Sequence, residues 1–266
     1  MRSRGGGVNI LAGGTLNIGR VTAAGDVSVA ALGGVQSGRI HAGGFASVMS
    51  WASGSFSAAG DKGASACVRG MMVGYVSSSG GSVDVTVRDG GTVNATAAKD
   101  VFVASMGWVY ANINAGGSAT VLAGGNVAGF VTAGVDADVA SLGEAMALVS
   151  ARGDVRVFGN KGVSSPQIGS GDDMWIRSYG DVSISRHAHA GGDIRGLWAR
   201  GSIAGEFSAG GDMVAGTPNP PGHHGPLRSV SAGGLEVQVD RETCLIADSP
   251  PDEPIVLPCE PSTLVI

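Results

Sequence analysis

Apolar residues along this chain recur two apart, in short bursts. Leu16/Ile18, Val27/Val29, Val83/Val85/Val87, Val101/Val103, Val155/Val157, Val182/Ile184 and Leu235/Val237/Val239 follow this spacing. The residues between them are mostly polar: Asn17, Ser28, Asp84, Thr86, Arg156, Ser183, Glu236 and Gln238. A period of two sends one set to the inside of a strand and the other to the outside. Val and Ile also suit a half-buried pleated surface. The pattern predicts strands and no helix.

The bursts are punctuated by glycine at a nearly constant interval. The recurring unit reads small–Gly–(Gly/Asp/Asn)–apolar–x–apolar, as in AGGTLNI from Ala12, AAGDVSV from Ala23, ARGDVRV from Ala151 and SYGDVSI from Ser178. One anchoring glycine per unit gives Gly14, Gly25, Gly34, Gly44 and Gly54, in steps of 11, 9, 10 and 10. Later, Gly180, Gly192, Gly201 and Gly211 step by 12, 9 and 10. These glycines, with Gly14, Gly25, Gly34, Gly44, Gly180, Gly192 and Gly211 as the clearest examples, are read as structural turns. The expected reason is a positive φ at each corner, which glycine adopts without a Cβ penalty. About ten residues per unit leaves no room for the crossover helix of a βαβ unit. Antiparallel hairpins or a stacked coil remain, and near-constant spacing with the same corner chemistry favours the coil. The expected fold is all-β, a single-chain parallel β-helix or β-solenoid. Two units would make a coil of about 20 residues, stacked roughly a dozen times.

The repeat region is expected to span residues 1–239, followed by a Pro-rich acidic tail or cap over 240–266. Residues 159–175, with Pro166, read as an expanded loop. Residues 216–226 carry four prolines and the pair His223-His224, and read as a second loop.

Composition narrows the picture further. The chain holds 47 glycines in 266 residues, yet it is 43% hydrophobic and only 15% charged, which excludes a disordered linker. Collagen is excluded because no three-residue glycine period runs through it. The net charge is −5 and the 17 basic residues are scattered, so no nucleic-acid partner is expected. No apolar run approaches the roughly 20 residues of a transmembrane helix. The start, Met1-Arg2-Ser3-Arg4-Gly5-Gly6-Gly7, has charge but no following apolar stretch and does not read as a signal peptide. If the chain is complete as given, the cytoplasm is the expected compartment; if it is a piece of a longer exported protein, the cell surface is. Cys67, Cys244 and Cys259 form no CxxC pair. Cys244 and Cys259 bracket a Pro-rich segment and either form a disulfide in an oxidising compartment or stay as two thiols.

Candidate chemistry is sparse. His187 and His189 lie two apart on an expected strand, as metal ligands do, but no Cys or Glu completes a set. Gly169-Ser170-Gly171-Asp172-Asp173-Met174-Trp175 has the flavour of a calcium-binding turn, but no copy follows nine residues on. The recurrent aspartates (Asp26, Asp61, Asp154, Asp181, Asp193, Asp212) follow glycine, where their carboxylates serve backbone hydrogen bonds. No catalytic constellation is expected, and no cofactor. The threonines form no regular ladder of an ice-binding kind.

The AGGD-type units, as in Ala190-Gly191-Gly192-Asp193-Ile194 and Ala209-Gly210-Gly211-Asp212-Met213, resemble those of filamentous-haemagglutinin-type and AGGDI-repeat bacterial surface exoproteins. The resemblance covers approximately residues 5–239. It implies a right-handed parallel β-helix shaft in a structural or adhesive role: a stalk or presentation rod that meets glycans or cell surfaces. The alternatives are a carbohydrate-active β-helix enzyme, with its groove near 159–175 and 216–226, and a repeat scaffold that self-associates end to end.

Overall fold

A computed structural model describes residues 1–216 throughout; beyond them it describes only the backbone of Leu227–Ala232, Glu236–Val237, Ile246–Asp248, Pro254–Val256 and Leu264–Val265. Cys244, Cys259, His223 and His224 lie outside the described residues, as does most of the tail. Through residue 216 there are strands and corners only, and every strand pair is parallel. The chain is a β-solenoid. The alternation in the sequence is the cause: Val83, Val85 and Val87 are buried while Asp84 and Thr86 face out.

Contacts divide the chain into two compact units, Met1–Val135 and Asp136–Ile266. In the first, the longer strands stack in the order Leu16–Ala23, Val35–Ala42, Gly54–Gly60, Met71–Ser78, Gly90–Ala97, Trp108–Ala115, Val127–Ala133. The shorter ones stack as Val8–Ala12, Val27–Ala31, Phe45–Ser50, Gly63–Val68, Val83–Val87, Val101–Ser105, Ala119–Ala123. Each coil contributes one short and one long strand, so two sequence units make a coil. In the second unit the short strands Ala137–Ser141, Val155–Gly159, Met174–Ser178, Ile194–Ala199 and Met213–Gly216 stack in turn. The long strands there are Glu144–Ala151, Gly162–Ser170, Asp181–Ala190 and Ile203–Ala209. Pairing of Val83 with Val101 and of Val101 with Ala119 sets an 18-residue coil; Val27 on Ala46 sets one of 19.

Between the two sheets lies a core of small apolar columns, in which Ala66, Val85 and Val103 stack directly. The last residue of most strands points inward at a tight corner, and there the chain mostly uses Ala or Ser, with Gly60, Val68, Val87 and Gly159 as departures. Ser50, Ser78, Ser105, Ser141, Ser170 and Ser178 are the buried serines at such ends. Their hydroxyls satisfy the corner backbone: Ser178 Oγ donates to the Gly159 carbonyl at 3.0 Å and accepts from the Gly180 N–H at 2.9 Å.

The corner glycines fall where the sequence places them, but for a different reason. Positive φ occurs among the described residues only at Gly90, Gly91, Gly129 and Gly205, and at none of the seven glycines read as turns. At Gly44, Gly117, Gly180, Gly192, Gly201 and Gly211 what selects glycine is the coil beneath, whereas a Cβ on Gly14 would meet nothing within 4 Å and the position above Asp154 holds Asp172. A Cβ on Gly180 would land on the Lys161 carbonyl oxygen, and one on Gly44, Gly117, Gly192, Gly201 or Gly211 would land on a carboxylate oxygen of Asp26, Asp100, Asp173, Asp181 or Asp193. Each of those carboxylates rises to accept the amide of the following residue in the next coil. Asp26 takes Phe45 N at 2.7 Å, Asp100 takes Ser118 N at 2.9 Å, and Asp193 takes Asp212 N at 2.9 Å. The Gly-Asp dipeptide is therefore an inter-coil device. Where the lower coil has Ser82 or Ser118 at the aspartate position, the glycine position above holds Lys99 or Val135. In the second unit Asp136, Asp154, Asp173, Asp193 and Asp212 form a continuous ladder of such bonds.

Residues 159–175 are not an expanded loop. Gly162–Ser170 is a nine-residue strand whose register shifts around Pro166, between Ser165 and Gln167 against the following coil and between Val163 and Ile168 against the preceding one. A bulge leaves one residue out of the ladder, so the missing proline N–H costs no hydrogen bond. Ser165 Oγ fills the gap, donating to the Ala147 carbonyl at 2.7 Å and accepting from Gln167 N at 3.2 Å.

Candidate functional site: an aromatic and guanidinium face

In the second unit, the outward residues of successive short strands line up across the stack. Arg156 and Phe158 come from Val155–Gly159, Trp175 and Arg177 from Met174–Ser178, and Trp198 from Ile194–Ala199. The register puts Arg156 opposite Trp175, Phe158 opposite Arg177, and Arg177 opposite Trp198. Cations and rings thus alternate along each column. The strand spacing of about 4.8 Å brings them into contact.

The geometry bears this out. The Arg156 guanidinium lies 4.8 Å from the Trp175 ring centre, and that of Arg195 lies 5.9 Å from it. Tyr179, at the corner, packs edge-on against both Phe158 and Trp198, with centroids 5.9 and 5.5 Å apart. Offset or edge-on pairs of this kind hold ring orientation. Arg156 is tethered to Asp154 at 3.0 Å and to Asp138 at 3.5 Å, and Arg195 to Asp173 at 2.8 Å and Asp193 at 3.3 Å. These pairs are largely solvent-exposed, so their worth is in aiming the guanidinium groups and adds little to stability. Arg177 is exposed and forms no ion pair among the described residues.

A bulge borders this face. Pairing slips between Met174 and Trp175, so that Trp175 faces Gly196 and Arg195 is displaced. Gly196 presents no side chain, and a Cβ there would crowd Trp175 at 3.1 Å and the Arg177 guanidinium at 3.4 Å. On the other side of Trp175 lies an open cleft of about 330 Å3, whose lining includes Asp138, Arg156, Phe158, Trp175 and Arg177. None of these five was singled out by sequence reasoning as a site. The signal was present as R-x-F, W-x-R and R-G-x-W at outward positions in the short strands of consecutive coils.

The candidates that the sequence did suggest sit elsewhere. His187 and His189 stack at 5.8 Å on the long-strand face, and both ring nitrogens address Ser208 Oγ at 2.9 Å, His187 through Nε2 and His189 through Nδ1. Asp172 is exposed at a corner, whereas Asp173 is committed to Asp193 N at 2.9 Å and to Arg195. Among the described residues no group of three His, Cys, Asp or Glu converges as a metal site would require. Cys67 is exposed and free.

In the first unit, the long-strand face carries a second, uncharged set of outward rings. Tyr75, Asn94, Asn112 and Phe130 form one column, in which Asn112 Nδ2 donates to Asn94 Oδ1 at 2.9 Å. Among the described residues no helix is long and apolar enough to cross a membrane. No family model matches this chain, and no curated protein or solved structure does.

Proposed function

We propose that the chain is a structural and adhesive β-solenoid segment of an exported bacterial surface protein, serving as a stalk or presentation element that meets glycans or cell surfaces. The observation that carries this reading is the character of the outward faces. Regular coils hold rings, amides and guanidinium groups in rows on rigid strands, as a binding surface requires. Asp26, Asp100, Asp136, Asp154, Asp173, Asp181 and Asp193, corner carboxylates of the kind a hydrolase or lyase would need as acids and bases, are instead committed to backbone amides of the next coil. The resemblance of the AGGD units to surface exoproteins supports the same reading.

The test is adhesion of the purified chain. Fluorescently labelled protein should bind bacterial or host cells saturably, and limited proteolysis should spare the stacked region. A chain that is digested throughout its coils and binds no cell or glycan surface would refute the proposal.

A further inference from the structure

We infer that the cleft around Trp175 and Arg177 is a saccharide-binding site selective for carboxylated glycans, with Arg177 as the residue that reads the charge. The inference rests on the adhesive reading and names the ligand chemistry of its principal face. Three observations and one principle converge on it. The cleft of about 330 Å3 is at the lower end of the size range of small-ligand sites, and it mixes rings with a few polar groups as such sites do. Phe158 and Trp198 are partly exposed and held edge-on by Tyr179, which presents ring surface to the C–H face of a pyranose, while Trp175 carries the Arg156 guanidinium over its ring. Arg156 and Arg195 are neutralised by aspartates, whereas Arg177 keeps its fork of donors unmatched among the described residues. A planar guanidinium binds a carboxylate through two parallel hydrogen bonds, which favours carboxylate over an uncharged hydroxyl.

The arrangement also fixes what kind of chain fits. Ring, cation and ring succeed one another as Phe158, Arg177 and Trp198, one per strand. A glycan in which charged and uncharged sugars alternate places its acid on the guanidinium and its neutral units on the rings. Asp138, on the rim, accepts hydroxyl hydrogen bonds and repels additional negative charge. Heavily sulfated chains, and strands with a phosphate at every step, are disfavoured for that reason and because the adjoining corner is a row of aspartates.

The experiment is calorimetric titration of the whole chain with a hyaluronate hexasaccharide, using chitohexaose, a heparin hexasaccharide and oligothymidylate for comparison. Hyaluronate should bind with a change in tryptophan emission, and should be preferred over each of the other three by about tenfold or more. Arg177→Gln and Trp175→Ala should each weaken binding by about tenfold with an unchanged far-ultraviolet circular dichroism spectrum. Arg39→Gln, at an exposed arginine of the other unit, should leave it as it was. If Trp175→Ala fails to fold, the exposed Arg177→Gln carries the test alone. Absence of heat with hyaluronate, equal binding of chitohexaose, preference for heparin or oligothymidylate, or wild-type affinity in Arg177→Gln would overturn the inference. Cell adhesion of the same proteins separates the two readings. Adhesion that persists without hyaluronate binding refutes this site alone, and hyaluronate binding without adhesion refutes the adhesive role alone.

Discussion

If corner glycines are selected by the aspartate beneath them, the cost of filling one should depend on that aspartate. Gly117 and Asp100 provide the test. The Asp100 carboxylate accepts Ser118 N at 2.9 Å, and its oxygen occupies the place where a Cβ on Gly117 would be built. The φ of Gly117 is not positive, so alanine is conformationally allowed there. Gly117→Ala should expel the carboxylate and leave the Ser118 amide without its acceptor, a loss of about 1–3 kcal/mol. One coil lower the chain shows the remedy: Ser82 takes the aspartate position, its Oγ accepting Asp100 N at 3.4 Å, and Lys99 fills the glycine position above it. In an Asp100→Ser background, Gly117→Ala should therefore cost almost nothing. The roughly 0.4–1 kcal/mol gained by restricting the unfolded chain works in the same direction. Urea unfolding of the four proteins gives the coupling directly, and about 1–2 kcal/mol of non-additivity is expected, within the range for residues in contact. Additivity within about 0.5 kcal/mol would refute the reasoning and return the glycine requirement to backbone conformation.

The remaining predictions use the same unfolding assay. Ser178→Ala removes a fully buried hydroxyl that serves both the Gly159 carbonyl and the Gly180 N–H, and should destabilise by about 1–3 kcal/mol. Asp173→Asn keeps an acceptor for Asp193 N and loses only the exposed pair with Arg195, so it should cost less than about 1 kcal/mol. Asp173→Ala loses both and should cost clearly more; equal effects from the two variants would mean the ladder bond contributes nothing. Pro166→Ala should change the midpoint by less than about 1 kcal/mol, because the bulge asks no hydrogen bond of residue 166; a large loss would show that proline stiffness holds the strand.

Much of this architecture was legible in the sequence because its causes are local. Alternation in VDVTV states which residues face inward, and small–Gly corners every ten residues leave a coil as the economical solution. The positions of Gly14, Gly25, Gly34, Gly44, Gly180, Gly192 and Gly211 at or beside corners followed from spacing alone. Their reason did not, since the atom that excludes a side chain at Gly211 belongs to Asp193, eighteen residues back. Pro166 misled for a related reason: proline signals a loop when read locally, and only the neighbouring coils show that a bulge can absorb it.

The candidate site lay beyond sequence reasoning because it is made by register. Arg156, Trp175 and Arg177 are each an ordinary outward residue within their own strands. They become one surface when coils of unequal length bring them into line, and the slip at Gly196 leaves no side chain opposite Trp175. The sequence by itself determined that strands would form, which side of each would be buried, and that the corners would be tight. The tertiary structure decided which outward side chains meet, because register between coils is the sum of every corner and bulge in a turn and is fixed only when the next coil has been laid down.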